Sequence, residues 1–248
     1  MNCCARRRDT AAYFARTVLY RAHRSSNSSP AANPPQPTRP AAPDMDSERA
    51  PQALRRLQQE FPLEARVASL PANLLRAYGT ILQSWAKGEP PGIGIENAAL
   101  VRELAGLDAI LIEDDFASCY PFSVRDTGIR VTVAQKSVNA MCAIDALAIP
   151  SILVGVGEIE AACAACGTRH ACTVGPDGVV RSGDGQVVIA WSGRLAGSSC
   201  CGRSLCPQIR FQCPGCSVPT GGSQLSIVDG AAVGTAFFAF QRRLLQTF

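Results

Sequence analysis

The sequence predicts an α+β protein: an N-terminal winged-helix-like helical unit followed by a mixed α/β core of short strands with a closing C-terminal helix. Three observations predict it. Leu74, Leu75, Tyr78, Ile81, Leu82 and Trp85 recur at helical spacing. From Ala171 onward, short β-prone runs alternate with turn signals such as Pro176-Asp177-Gly178 and Gly183-Asp184-Gly185. Near the C terminus, Val233, Phe237, Phe240 and Leu244 trace a further helical stripe.

Residues 1–43 read as a disordered leader. They hold seven of the 24 Lys and Arg residues (Arg6, Arg7, Arg8, Arg16, Arg21, Arg24 and Arg39) and, in Asp9, one of the 20 acids, so the net charge of +4 belongs to the leader. Tyr13, Phe14, Val18, Leu19 and Tyr20 add a short amphipathic segment, which fits an organelle transit peptide as well as it fits an extension with no targeting role. The Ser-, Asn-, Pro- and Ala-rich run from Ser25 to Pro43 reads as a linker.

Residues 44–130 read as the helical unit. A helix from Gln52 to Phe61 is stopped by Pro62, a second runs from Ala72 to Lys87, and a third, capped by Asn97, ends at Gly106. The extended stretches Tyr120–Val124 and Gly128–Val133 complete a winged-helix outline. Binding to nucleic acid is not expected, because the third helix offers Arg102 against Glu96 and Glu103, and Glu113-Asp114-Asp115 would repel phosphate. A helical domain packed on the core is the preferred reading.

Residues 131–248 read as the core. At its start, Asn139-Ala-Met-Cys-Ala-Ile-Asp-Ala-Leu-Ala-Ile-Pro150 reads as a short buried helix ended by Pro150, with Cys142 and Asp145 on one face. A carboxylate among apolar residues loses hydration, so its pKa rises and it can hold or pass a proton near neutral pH. The thiol beside it is a soft-metal ligand or nucleophile, or simply a core cysteine. A second thiol segment, Ser204-Leu-Cys-Pro-Gln-Ile-Arg-Phe211, ends in a strand, and the closing helix starts near Asp229.

Twelve cysteines, with vicinal pairs at Cys3/Cys4 and Cys200/Cys201, suit a reducing compartment better than a disulfide framework. No apolar run is long enough to span a membrane, so a soluble protein is expected, in the cytoplasm or, with a functional transit peptide, in a chloroplast or mitochondrion. Cys163-Ala-Ala-Cys166-Gly167 and Cys213-Pro-Gly-Cys216 have zinc-knuckle spacing, with His170 and Cys172 as substitute ligands. They read equally as auxiliary thiols that relay a metal or pack.

Together the two thiol segments resemble the organomercurial lyase (alkylmercury lyase) family. Cys142-Ala-Ile-Asp145-Ala-Leu147-Ala-Ile-Pro150 matches the family's Cys-Ala-x-Asp-x-Leu-x-x-Pro pattern, and Ser204-Leu-Cys206-Pro-Gln-Ile209-Arg-Phe211 is similar to its second-cysteine motif, with Leu205 in place of an aromatic. The resemblance implies catalysis by Cys142, Asp145 and Cys206, with Cys200 and Cys201 as competitors for the second thiol. It implies a substrate R-Hg⁺, whose carbon–mercury bond is cut by protonolysis to give R-H and Hg(II) held by Cys142 and Cys206. No cofactor is required for that chemistry. Low-molecular-weight thiols or a mercuric reductase would then take the ion. The alternative function is a non-catalytic, thiol-rich protein that binds a soft metal or zinc on the same fold.

Overall fold

The computed structural model describes residues 48–191 and 200–247. The expected leader, residues 1–43, lies outside them. No helix among the described residues is long and apolar enough to cross a membrane.

Helix α1 (Arg49–Glu60) buries Ala53 and Leu57 and ends at Phe61, just before Pro62. A short α2 (Leu63–Ala68) follows, too brief to leave a periodic signal. The apolar stripe of α3 (Ala72–Ala86) faces inward as its spacing predicts, with Leu75 half-buried at the margin. Asn97 stands at the start of α4 (Ala98–Gly106) but does not cap it: its side-chain amide donates to the Gly92 carbonyl at 3.3 Å instead.

Strands β1 (Ile110–Glu113) and β2 (Phe116–Cys119) form a hairpin that the sequence reading did not resolve. Its corner is Asp114-Asp115, both at positive φ (45° and 61°), as a two-residue hairpin turn that follows the strand twist requires. The acidic triplet therefore makes a turn. Next come β3 (Phe122–Ser123), β4 (Arg130–Val133), β5 (Lys136–Ala140), helix α5 (Ala143–Ile152), β6 (Gly157–Ala162), β7 (Arg169–Val174) and β8 (Val180–Ser182). The six strands form an antiparallel sheet in the order β3-β5-β4-β6-β7-β8. Beyond β9 (Gln186–Ile189) and a short α6 (Cys201–Ser204), a 3₁₀ turn (Cys206–Gln208) leads into β10 (Ile209–Gln212), and β11 (Ser223–Ser226) completes a three-stranded sheet ordered β10-β9-β11.

The C-terminal stripe forms two helices where one was expected, α7 (Ile227–Phe237) and α8 (Ala239–Leu245), broken at Phe238. The break lets α7 lie on α5 while α8 directs the buried Gln241 amide to the Tyr78 hydroxyl, 2.7 Å away. Ser226 caps α7, its hydroxyl accepting from the Asp229 amide at 3.0 Å.

One hydrophobic cluster runs from Ala53 to Phe240, with α5 at its centre and every residue of that helix buried. Pro150 does not end the helix, as its sequence position predicts, but lies inside it. The ring removes one backbone donor. It packs closely on Gly157, where the missing Cβ leaves room, and its carbonyl accepts from Gly155 N at 3.1 Å. Burial of the whole segment outweighs the lost bond. Helix α7 approaches equally closely: a Cβ on Gly234 would stand 2.6 Å from the Ile144 carbonyl oxygen.

That contact separates two glycine substitutions. Gly234→Ala should destabilise the protein by about 1–3 kcal/mol, because backbone cannot move aside as a side chain can. Gly106→Ala, with open space around it, should be neutral or stabilise by up to about 1 kcal/mol. Urea denaturation of both variants checks the contrast.

Candidate active site

The chain leaves β5 through Met141, whose amide donates to the Pro121 carbonyl at 3.0 Å, and reaches Cys142 in an extended conformation (φ −155°, ψ 178°). Cys142 is therefore the N-cap of α5, not a position on its face as expected. Its sulfur accepts from the Asp145 amide at 3.5 Å, as a capping hydroxyl would. The three-residue spacing still brings thiol and carboxylate together, through the cap rather than through the helical repeat.

Cys206 arrives from the other sheet, at the 3₁₀ turn that starts β10. Its sulfur lies 3.9 Å from Asp145 Oδ2. The Cys142 and Cys206 sulfurs and an Asp145 carboxylate oxygen all lie within 4.8 Å of one another, and all three residues are buried. Burial pushes the Asp145 carboxyl up from 3.8 to about 7, against the opposing pull of hydrogen bonds from the two thiols. Burial likewise pushes the Cys142 thiol up to about 11. Cys206 is held well above the ordinary thiol value by its contacts with the Cys142 and Cys201 thiols and then by burial. Both thiols thus rest protonated beside a carboxyl that titrates near neutrality.

The competing thiols stand outside this group of three. The Cys201 sulfur touches Cys206, 3.9 Å away, while that of Cys200 lies 3.8 Å from the Tyr120 hydroxyl. Sequence reasoning missed what holds them. The Asp108 carboxylate accepts from the Cys201 amide at 3.1 and 3.2 Å and from the Tyr120 hydroxyl at 2.8 Å. That hydroxyl in turn accepts from the Gly202 amide at 2.8 Å, and Arg66 pairs with Asp108 at 2.8 Å. Asp108 and Arg66 stand 93 and more positions before the segment they fix, so no local pattern could reveal them. Asp108 itself has a left-handed backbone (φ 51°), a conformation Asp tolerates better than most residues.

Around the three groups the wall is apolar, with Leu57, Phe61, Tyr120, Ile144, Leu205 and Phe237 enclosing about 10 Å³, room for roughly one water. Cys206 and Ile209 also border an open groove of about 480 Å³. Of the three groups, Cys206 is therefore the one that borders the groove, with Asp145 and Cys142 behind it.

Cys163, Cys166, Cys213 and Cys216 form a second cluster, with all four sulfurs within 4.8 Å of one another. His170 Nε2 lies 3.4 Å from the Cys213 sulfur, beside the cluster rather than in it, and Cys172 is not among its members.

Two predictions come from these contacts. Asp108→Ala leaves the Cys201 amide and Arg66 without their carboxylate and should cost about 2–4 kcal/mol, read by chemical denaturation. For Asp145, a folded pKa above the unfolded value means that the folded state binds the proton more tightly. Its contribution to stability is complete below about pH 4 and is lost as pH rises through about 7. Unfolding free energy measured from pH 4 to 8 should therefore fall more steeply in the parent than in Asp145→Asn, where this group no longer titrates.

Residues 122–215 match the family model described as MerB: Alkylmercury lyase. The fold is similar to that in the "Crystal structure of the mercury-bound form of MerB2", with a TM-score of 0.55 and 19% identity over 77% of this chain and 99% of that chain. The chain has no match among the curated proteins. The resemblance to the alkylmercury lyases read from the two thiol motifs is borne out over residues 122–215, the stretch that carries Cys142, Asp145 and Cys206.

Proposed function

We propose that the protein is an organomercurial lyase that cleaves the carbon–mercury bond of R-Hg⁺ by protonolysis. The observation that carries this reading is a buried carboxyl poised near neutrality within reach of two buried thiols. Mercury is soft and binds sulfur in preference to oxygen or nitrogen. Entering by the groove, R-Hg⁺ exchanges its ligand for the Cys206 sulfur and releases that thiol's proton to solvent. Asp145 takes the proton of Cys142, and the resulting thiolate adds to the metal. Extra sulfur donation makes the bound carbon more carbanion-like. The carbon–mercury electron pair then takes the proton from Asp145, which leaves R-H and Hg(II) bridging the two sulfurs.

A second thiolate requires a base beside a thiol whose pKa is well above neutrality, and proton delivery requires an acid at the same place. A carboxyl near 7 serves both steps. Hg(II) bound by two thiolates leaves only by ligand exchange, so low-molecular-weight thiols, or the cysteines of a mercuric reductase, take it away.

Product analysis with phenylmercury or methylmercury and excess thiol tests the proposal. The parent should release benzene or methane. Cys142→Ser, Cys206→Ser and Asp145→Ala should each lower that release by about 10²-fold or more, and Asp145→Ala should still bind mercury. A folded, reduced parent that yields no hydrocarbon would overturn the lyase in favour of a non-catalytic thiol-rich metal-binding protein. Single-turnover cleavage should also weaken as pH falls through about 7, where Asp145 is protonated before it can accept the thiol proton.

A further inference from the structure

We propose that Cys163, Cys166, Cys213 and Cys216 form a closed tetrahedral site for a resident zinc ion, which ties the two sheets together beside the groove that leads to Cys206. This assignment is independent of the lyase reading.

Spacing of the sulfurs is the first support. A zinc ion with four thiolates at about 2.3 Å requires neighbouring sulfurs about 3.8 Å apart. Across the two knuckles, Cys163 and Cys216 stand 3.8 Å apart and Cys166 and Cys213 3.6 Å, with all four sulfurs inside 4.8 Å. Disulfide bonds are about 2.05 Å long, and all four residues are free thiols.

The backbone supplies what a thiolate needs. The Cys163 sulfur accepts from the amides of Cys166 and Cys213 at 3.4 and 3.3 Å. Both knuckles turn tightly: the Gly167 amide bonds the Cys163 carbonyl and the Cys216 amide that of Cys213, with Gly167 and Gly215 at φ 75° and 92°, where a side chain would be strained. His170 Nε2, beside the Cys213 sulfur, stands where an outer N–H donor would steady a metal ligand.

Packing does not explain the cluster. Cys166 is exposed and Cys213 and Cys216 are half-buried, whereas a cysteine used as a small hydrophobe is normally enclosed. Four equivalent soft donors match a tetrahedral S₄ ion, zinc rather than a hard cation.

The position gives the ion a structural task. The first knuckle joins β6 to β7 in the six-stranded sheet, and the second follows β10 in the other sheet. The Ala164 amide donates to the Phe211 carbonyl at 3.0 Å between them. Ala162, Cys163 and Ala164 line one part of the groove, and Cys206 and Phe211 another. An ion here fixes the C-terminal end of β10, whose N-terminal end follows directly on the turn that carries Cys206.

Elemental analysis of the full chain, purified from zinc-replete cells without chelator, tests the site. One zinc per chain is expected, retained in Cys206→Ser and lost in Cys213→Ser/Cys216→Ser. Replacement by Co(II) should give the visible bands of a tetrahedral thiolate site, and chelation should lower the melting temperature by several degrees. A parent that neither carries zinc nor takes it up in equilibrium dialysis would overturn the proposal. So would iron in its place, or zinc that survives the double substitution and leaves with Cys206→Ser.

Discussion

The rest of the structure depends on how a carboxyl is buried at the start of α5. Asp145 lies in the first turn, behind a cap made by Cys142, so the backbone geometry that begins the helix also fixes thiol and carboxyl relative to each other. The positive end of the helix dipole favours the carboxylate form, and burial disfavours it more strongly. The outcome is a group that titrates near neutrality. Keeping it so requires that α5 be enclosed all round, which accounts for the small residues Ala143, Ala146 and Ala148 and for the glycines of α7 that allow close approach.

Enclosure alone does not place the second sulfur. Cys206 stands 61 positions after Asp145 and comes from the other sheet. The turn that carries it is held at its N-terminal side by the Asp108 carboxylate and the Tyr120 hydroxyl, which bind the amides of Cys201 and Gly202. On its C-terminal side it runs into β10, which pairs with β9 in antiparallel register. A segment as short as α6 cannot set its own geometry through helical cooperativity. Directional polar contacts with distant residues do that instead.

This division explains what could be read from the sequence. The helical stripe of α3 was legible because one face of that helix is buried and the other is not, and Ile209 and Phe211 were legible as buried apolar residues either side of the exposed Arg210. Helix α5 had no such contrast, being buried on every side, so its start was misplaced onto β5 and its end onto Pro150. Strand β6 alternates buried and exposed residues perfectly, yet Gly157, Ala161 and Ala162 give hydropathy too little contrast to show it. Cys142, Asp145 and Cys206 were legible as chemistry, since their types and order carry the motif. That Cys142 caps the helix, and that Asp108, Tyr120 and Arg66 brace the second thiol, depends on backbone conformation and on contacts between distant positions, which spacing does not encode.

High thiol pKa values at such a site have a further consequence. A protonated, buried thiol is a poor nucleophile and a poor ligand for most cations, and it resists oxidation, which proceeds through the thiolate. On the proposed reading, Cys142 and Cys206 stay inert until they meet a metal whose bond to sulfur is strong enough to displace the proton, and Asp145 takes up one of the protons so displaced. Hard cations gain too little from sulfur to do this in an apolar enclosure. If that reading holds, the burial that tunes Asp145 would also select for soft metals, so proton transfer and metal specificity would arise from the same loss of water around α5.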